Sequence, residues 1–401
     1  MTEPLCNKMS TDLAQSRILF FVPHENVKTS GVFASQVLGL ARFCANLGAE
    51  SLIFHYAPDE EESCIEIEPH IKLLNSTEKT RHYSIFTVVR AICRIEKKYR
   101  SYFTRFAPTH IYTRNYAMCI GIRSFARECG ARLVYSMRGP DVYERTRSGR
   151  IRDYIAGLFV GRLVRKAVRC CDVFTSMSKN AVDWVAQKYC KKGIVFPCCV
   201  DKRFFLDLRK IDRHAARYKL GFQDTHKVIV WSGNLAYWQR LDDIIRLIKG
   251  MSELDDDVRI LFITREKIEV KIACEAIGLD EHKYRIISSR PDEVQNYLGL
   301  CDVGIDCLAV DDFKSSICCP IKVGEYLAVG LPILITRTMG DIPEMVNANM
   351  IGAILEDGLN PRDAVQKLNS ILSFDSDNIQ HVAFESFSWD SHRDAVIKLF
   401  E

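Results

Sequence analysis

The sequence predicts an α/β chain built from two doubly wound, Rossmann-like domains facing across a cleft. Three observations carry this. Short apolar runs of strand length alternate with stretches of helical periodicity along most of the chain. The alternation comes as two series, one opening at Ile18 and the other near Lys227. The length of 401 residues suits two such domains better than one.

The elements follow in order. Ile18–Val22 is fully apolar, as a strand buried on both faces requires. A loop with Gly31 comes next. Phe33, Val37, Leu40, Ala41, Cys44 and Leu47 then recur at helical spacing, and Gly48 stops that helix. Ser51–His55 is the following strand, which completes the strand–loop–helix–strand unit of a doubly wound sheet. Ile111-Tyr112 and Leu133–Ser136 read as strands with a helix between them. Val173–Ser176 is another strand, and Ser178 is placed to cap a helix over Asn180–Tyr189. Ile194–Phe196 is the last short strand before Pro197.

In the second series, Val228–Trp231, Arg259–Ile263, Tyr284–Ile287, Val303–Ile305 and Ile333–Ile335 read as strands. Asp242–Met251, Pro291–Leu300 and Lys322–Val329 read as helices, the last closed by Gly330. Trp389–Glu401 has the pattern of a final amphipathic helix. The boundaries expected are 1–205 for the first domain, with 386–401 packing back on it, and 206–385 for the second. Open α/β sheets bind ligands beyond the carboxyl ends of their strands, so two in tandem place the natural site in the cleft between them.

Composition narrows the classes. Hydrophobic residues make up 47% and charged residues 26%, an ordinary balance for a folded core. No apolar run approaches the roughly 20 residues that span a bilayer, and the first 17 residues lack the apolar centre of a signal peptide. A cytoplasmic location is therefore expected. Sixteen cysteines are scattered or sit as adjacent pairs such as Cys170-Cys171, Cys198-Cys199 and Cys318-Cys319, without zinc-finger spacing. They read as free thiols in a reducing compartment. The net charge of +4 divides unevenly: residues 1–205 carry 32 basic and 19 acidic side chains, net +13, and residues 206–401 carry 23 and 32, net −9. A basic half attracts anionic surfaces or substrates, or is simply a solvated face. RNA binding is disfavoured because no aromatic-basic module accompanies the charge.

Several chemistries are absent by motif. GxGxxG, GxxxxGK, HExxH and GxSxG do not occur, which argues against dinucleotide-dependent, P-loop, zincin and serine-hydrolase readings. Asp255-Asp256-Asp257 falls in a helix–strand connection rather than at a metal site. The informative stretch is Pro320-Ile-Lys-Val-Gly-Glu-Tyr-Leu-Ala-Val-Gly-Leu-Pro332. Pro320 suits the first turn of a helix, Lys322 and Glu325 lie three apart on one face, and Gly330 with Pro332 ends it. A cation and a carboxylate in the first turns, beside the positive end of a helix dipole, suit a phosphate and a sugar hydroxyl. The plain alternative is a surface ion pair between the two.

The chain resembles glycosyltransferase family 4, the retaining enzymes of GT-B fold, and among them the bacterial surface-polysaccharide type. Ser30-Gly31 before a helix with Ser35-Gln36 resembles the first glycine loop. Met177-Ser178, then Val195-Phe-Pro-Cys-Cys-Val-Asp201 and Phe204, resembles the interdomain signature. Trp231-Ser-Gly-Asn through Asp243 resembles the donor loop, and Tyr297–Gly304 with Lys322–Pro332 resembles the nucleotide-binding region. These segments occur in the family's order and together span most of residues 18–360. Phe387-Ser-Trp389 before a last helix is similar to the family's C-terminal return to the first domain.

The resemblance implies roles. Glu325 matches the second glutamate of the family's E-x7-E motif, which binds the ribose hydroxyls, a task suited to a carboxylate that accepts from a vicinal diol. Gly31 matches the glycine whose backbone approaches the donor phosphates. Gly233 and Asn234 lie in the donor loop. The first glutamate of E-x7-E falls at Ile317, and the usual diphosphate-binding Arg and Lys fall at Asn234 and Gln239. Arg240 or Lys322 is then expected to neutralise the diphosphate, with Arg290 in reserve. Arg138 and Asp141 stand where many relatives carry a histidine near the reacting sugar, as candidate catalytic residues, or else as a loop-stabilising pair. Glu144, His24 and His82 are weaker candidates. Arg147–Arg169 joins apolar residues to six further basic ones, as in a helix on an anionic membrane surface or an ordinary core-facing helix with a solvated side.

The function these readings imply is transfer of a sugar from a nucleotide diphosphate sugar to a glycan or lipid-linked acceptor, with a hexosyl unit as the type. The first domain would take the acceptor and the second the donor. The nucleotide sugar is a substrate; no cofactor, no metal and no nucleic acid are expected, and the location is cytoplasmic and peripheral on the inner face of the membrane. The rival readings are a sugar-nucleotide epimerase of the same fold and a non-catalytic nucleotide-sugar or glycan-binding protein.

Overall fold

A computed structural model describes residues 12–25, 33–78, 87–139, 151–205, 207, 212–310 and 312–401. The chain divides into two compact units. One comprises the residues up to Phe196 together with His392–Glu401, and the other is Pro197–Ser391.

In the first unit, β1 (Arg17–Val22) is followed by a π-helical turn over Ala34–Leu38, then α1 (Gly39–Asn46) and β2 (Glu50–Tyr56). Ile18–Val22 is wholly buried, which explains its unbroken apolar run. Next come β3 (Cys64–Glu68), β4 (Ile71–Ser76), α2 (Val88–Phe106), β5 (His110–Thr113), α3 (Tyr116–Cys129) and β6 (Arg132–Met137). The unit continues with α4 (Ile151–Cys170), β7 (Val173–Ser176), α5 (Lys179–Tyr189) and β8 (Ile194–Val195). Asn115 caps α3 by accepting from the Ala117 N–H at 2.7 Å, and Ser178 caps α5 by accepting from the Ala181 N–H at 3.1 Å. The strand order is β3-β4-β2-β1-β5-β6-β7-β8, parallel throughout except for the antiparallel β3–β4 pair.

The β3–β4 hairpin departs from expectation, as sequence reading took Ser51–His55 straight on toward Ile111. The strand Cys64-Ile-Glu-Ile-Glu68 is an exposed to half-buried edge, so its residues carry no core signal.

The second unit begins with α6 (Arg213–Lys219), β9 (Lys227–Ser232), α7 (Leu241–Leu254), β10 (Val258–Ile263) and α8 (Lys267–Ile277). It proceeds through β11 (Tyr284–Ile287), α9 (Val294–Leu298), β12 (Val303–Asp306), α10 (Phe313–Ile317), α11 (Ile321–Val329) and β13 (Ile333–Thr336). Then come α12 (Ile342–Asn349), β14 (Gly352–Leu355), α13 (Pro361–Ile371) and α14 (Ser376–Phe387). The sheet is parallel, in the order β11-β10-β9-β12-β13-β14. Numbered within the unit, this is 3-2-1-4-5-6, and the order reverses between β9 and β12.

Two helices are shorter than expected. Pro291–Leu300 is helical only over Val294–Leu298, since the Gln295 amide donates to the Asp292 carbonyl at 2.6 Å and holds the preceding residues as turns. The C-terminal helix α15 (Arg393–Phe400) starts four residues past Trp389, because Ser388 Oγ accepts from the Ser391 N–H at 3.0 Å and closes a turn. Within the first unit, the Phe400 ring packs 6.4 Å from Tyr112 and 5.8 Å from His110.

Candidate functional site

The second unit's switch point is where strand ends diverge and ligands find room. Ser232 closes β9 there and Asp306 closes β12. Helix α11 is pinned between them. The Tyr326 hydroxyl accepts from the Ser232 N–H at 2.7 Å and donates to Ser232 Oγ at 3.2 Å. Its ring lies over Gly304 of β12, where any Cβ would overlap it. Pro320 stands at the N-cap of α11 rather than in its first turn, with φ −65°. Gly330, at φ 91°, ends the helix in the left-handed conformation, and its carbonyl accepts from Ser376 Oγ at 3.1 Å.

Lys322 and Glu325 share α11 but do not pair with each other. The buried Lys322 ammonium sits 2.9 Å from Asp306 Oδ1 and donates to Gln239 Oε1 at 2.5 Å. It also lies 5.0 Å from the Trp231 ring centroid. Gln239 in turn donates to Asn234 Oδ1 at 3.2 Å. Asn234, Gln239, Lys322 and Asp306 thus form one polar chain across the switch point. Burial pushes the Asp306 carboxyl up, and the Lys322 charge opposes it. Gly233 belongs to this chain by omission: a Cβ there would stand 2.7 Å from Gln239 Oε1.

Glu325 is different. It is half-buried and, among the described residues, forms no hydrogen bond or ion pair. Burial pushes its carboxyl up to about 7, opposed by Arg203 and Lys322 and reinforced by Cys198. A carboxylic acid held this way is poised to accept from donors a ligand brings.

The remaining predicted cations are already engaged. Arg240 caps α7 from the left-handed region, φ 46°, and its Nε donates to Asp243 Oδ2 at 2.8 Å. Arg290 is exposed and ion-paired to Asp292 at 2.9 Å. Gly31, Asp141, Glu144 and His82 lie outside the described residues. Asp306 and Arg203 were missed by sequence reading; Asp306 is a single acid that ends an apolar strand.

In the first unit the sheet order reverses between β1 and β5. Past these strands, Arg114 Nη1 lies 2.7 Å from Glu25 Oε2, both side chains being largely buried. His24 Nε2 approaches Glu25 at 3.8 Å. Arg138, just beyond β6, donates to the Tyr112 hydroxyl at 3.0 Å. The Glu25–Arg114 pair was also missed, although Arg114 directly follows β5 and Glu25 lies three residues past β1, at a switch point.

On α4, Ala156, Val160, Val164 and Ala167 face inward, while Ile155, Leu158, Arg162, Arg165 and Arg169 form one exposed stripe at three- and four-residue spacing. Among the described residues, no helix is long and apolar enough to cross a membrane.

Residues 212–381 match the family model described as Glycosyl transferases group 1. No curated protein matches the chain in sequence. In structure the chain is similar to sucrose-phosphate synthase from Thermosynechococcus elongatus, at 12% identity over 96% of this chain and 98% of that one, with a TM-score of 0.77. It is similar to a glycosyltransferase from Rickettsia africae, at 17% identity over 96% and 99%, TM-score 0.65. It is also similar to Anabaena HepE in complex with UDP and glucose, at 13% identity over 95% and 98%, TM-score 0.68. At these identities the likeness shows the fold: two parallel-sheet, Rossmann-like domains of the GT-B kind.

Proposed function

We propose that this chain, which carries a group 1 glycosyl transferase domain on a GT-B fold, is a retaining glycosyltransferase of family 4 type. It moves a sugar, a hexose by type, from a nucleotide diphosphate sugar to a glycan or lipid-linked acceptor. The donor belongs to residues 206–385 and the acceptor to residues 1–205. The single observation that carries the reading is Glu325, a half-buried carboxyl without a protein partner among the described residues, on the helix beside the switch point.

In this reading Glu325 accepts hydrogen bonds from both ribose hydroxyls. Lys322, with the N-terminus of α11, lies toward the diphosphate, and Arg240 supports it. Asn234 and Gln239 supply amide contacts where relatives carry charge, and Gly233 admits the close backbone approach. As the anomeric C–O bond breaks, its electron pair goes to the terminal phosphate oxygen, and these cations stabilise that charge without a metal. The acceptor hydroxyl oxygen bonds the anomeric carbon on the same face, and its proton passes to the leaving phosphate. Arg138, and Asp141 and Gly31 outside the described residues, complete the proposed set. HepE is crystallised with UDP, which makes UDP the first nucleotide to test.

A thermal-shift panel with UDP, GDP, ADP and CMP tests the reading. One nucleotide should raise the melting temperature, since it binds only the folded chain, and Glu325→Ala should abolish the shift. No shift with any of the four overturns it. A second reading, a non-catalytic binder, draws on the neutral Asn234 and Gln239 and on the engagement of Lys322 and Arg240 by carboxylates. Nucleotide binding without donor hydrolysis or transfer selects it. An epimerase would instead convert the nucleotide sugar with no acceptor present. The exposed stripe of α4 supports a further part of the proposal, that the protein works in the cytoplasm, peripheral to an anionic membrane surface.

A further inference from the structure

The first unit holds a pair of thiols that the transfer reaction does not use. Cys119 lies in the first turn of α3 and is fully buried, and Cys170 is the last residue of α4 and half-exposed. Their sulfurs are 3.9 Å apart. Cys119 Sγ also lies 3.6 Å from the Ala167 carbonyl oxygen in the last turn of α4. The surroundings are cationic: Arg123 and Arg127 approach from α3 and Lys166 from α4. The hydrogen bond from Cys119 and these three charges pull the Cys170 thiol down to about 7, while burial drives Cys119 up. Cys171, next in sequence, is buried and pushed up to about 12. One thiol is therefore activated and reachable, and its neighbour is held in reserve against it.

We propose that Cys119 and Cys170 form an oxidisable pair that a peroxide closes into a disulfide, tying α3 to α4. The Cys170 thiolate attacks one peroxide oxygen. The O–O bond breaks, its electron pair leaves with the second oxygen, which is protonated to water, and Cys170 becomes a sulfenic acid. The Cys119 sulfur then attacks the Cys170 sulfur, the S–O bond breaks, and the hydroxyl leaves as water with the Cys119 proton. Two electrons pass from the thiol pair to the peroxide. Closure brings the sulfurs from 3.9 Å to the bond length of about 2 Å. The bridge fixes the helix that directly follows Arg114 and Glu25's ion pair, so it acts on the strand ends of the first unit.

The 401-residue chain is treated with hydrogen peroxide, quenched with N-ethylmaleimide in denaturant so that buried thiols are reached, and mapped by peptide mass spectrometry. The expected product is a Cys119–Cys170 peptide reversed by dithiothreitol. In the reduced protein Cys170 should also alkylate about threefold faster than the exposed Cys129. Cys119→Ser should leave a Cys170 sulfenic acid that dimedone captures. Oxidised protein in which Cys119 stays alkylatable, or in which Cys170 bonds another cysteine, overturns the proposal. The wild-type map decides this alone, so a variant that fails to fold leaves the test intact.

Discussion

A carboxyl group raised to about 7 by burial costs folding free energy whenever it ionises, and Glu325 is such a group. Between the ordinary carboxyl value near 4.5 and 7, the folded chain holds a proton that the unfolded chain has released. Stability therefore falls as pH rises through that window and is level above it. Glu325→Gln should be more stable than the parent at pH 8, by about 1–3 kcal/mol, and the gap should close as pH drops toward 4.5. Urea denaturation at several pH values checks this, and equal stability at pH 8 would count against an unpartnered acid. On the proposed ribose-binding role of Glu325, nucleotide affinity should run the opposite way, weakening about tenfold per unit below pH 7, because the ionised carboxylate is the stronger acceptor. The Lys322–Asp306 pair makes a second case. Lys322→Met strands a buried carboxylate and should cost about 3–5 kcal/mol. Adding Asp306→Asn should recover much of that stability without recovering nucleotide binding. Glu325 and Lys322 were singled out in the sequence because they stand in a motif with fixed spacing. Asp306 was not, since a single acid ending an apolar strand carries no pattern of its own.

At the scale of elements, the site depends on how α11 is seated. Gly304 lets the Tyr326 ring lie on β12, and the Tyr326 hydroxyl satisfies the Ser232 N–H at the end of β9. Gly304→Ala should cost about 1–3 kcal/mol through overpacking. Tyr326→Phe leaves a buried N–H unpaired, at about 1–3 kcal/mol, and frees the helix from β9. The chain should stay folded in urea titrations while its nucleotide-induced thermal shift shrinks; an unchanged shift would separate the helix seating from binding. The parallel strands were readable from sequence because burial on both faces demands unbroken apolar runs, as in Val228–Trp231 and Ile333–Ile335. The β3–β4 hairpin was not, because an edge strand mixes exposed and half-buried residues without clean alternation. The π-turn before α1 was also invisible, since Phe33, Val37 and Leu40 keep helical spacing through it.

At the scale of the whole chain, charge and helix faces agree. Residues 1–205 carry net +13 against −9 for the rest, and α4 turns alanines and valines inward and Ile155, Leu158 and three arginines outward. An ordinary amphipathic helix buries its larger aliphatics; exposing two of them beside arginines fits insertion at an anionic lipid surface, where the aliphatics enter and the guanidinium groups meet phosphates. The protein should cosediment with vesicles containing phosphatidylserine or phosphatidylglycerol and not with pure phosphatidylcholine. Binding should weaken as salt rises from about 0.05 to 0.5 M, because the Debye length shrinks below the reach of these side chains. Arg162→Gln, Arg165→Gln and Arg169→Gln together should remove most of it, and Ile155→Ser with Leu158→Ser should leave a weaker, wholly salt-sensitive remainder. Nucleotide-induced thermal shifts should be unchanged in both variants, since α4 belongs to the other unit. Absence of vesicle binding at every salt concentration would remove the lipid surface from the account and leave the charge of the first half to a soluble anionic acceptor, and binding that survives the triple substitution would remove α4 from it.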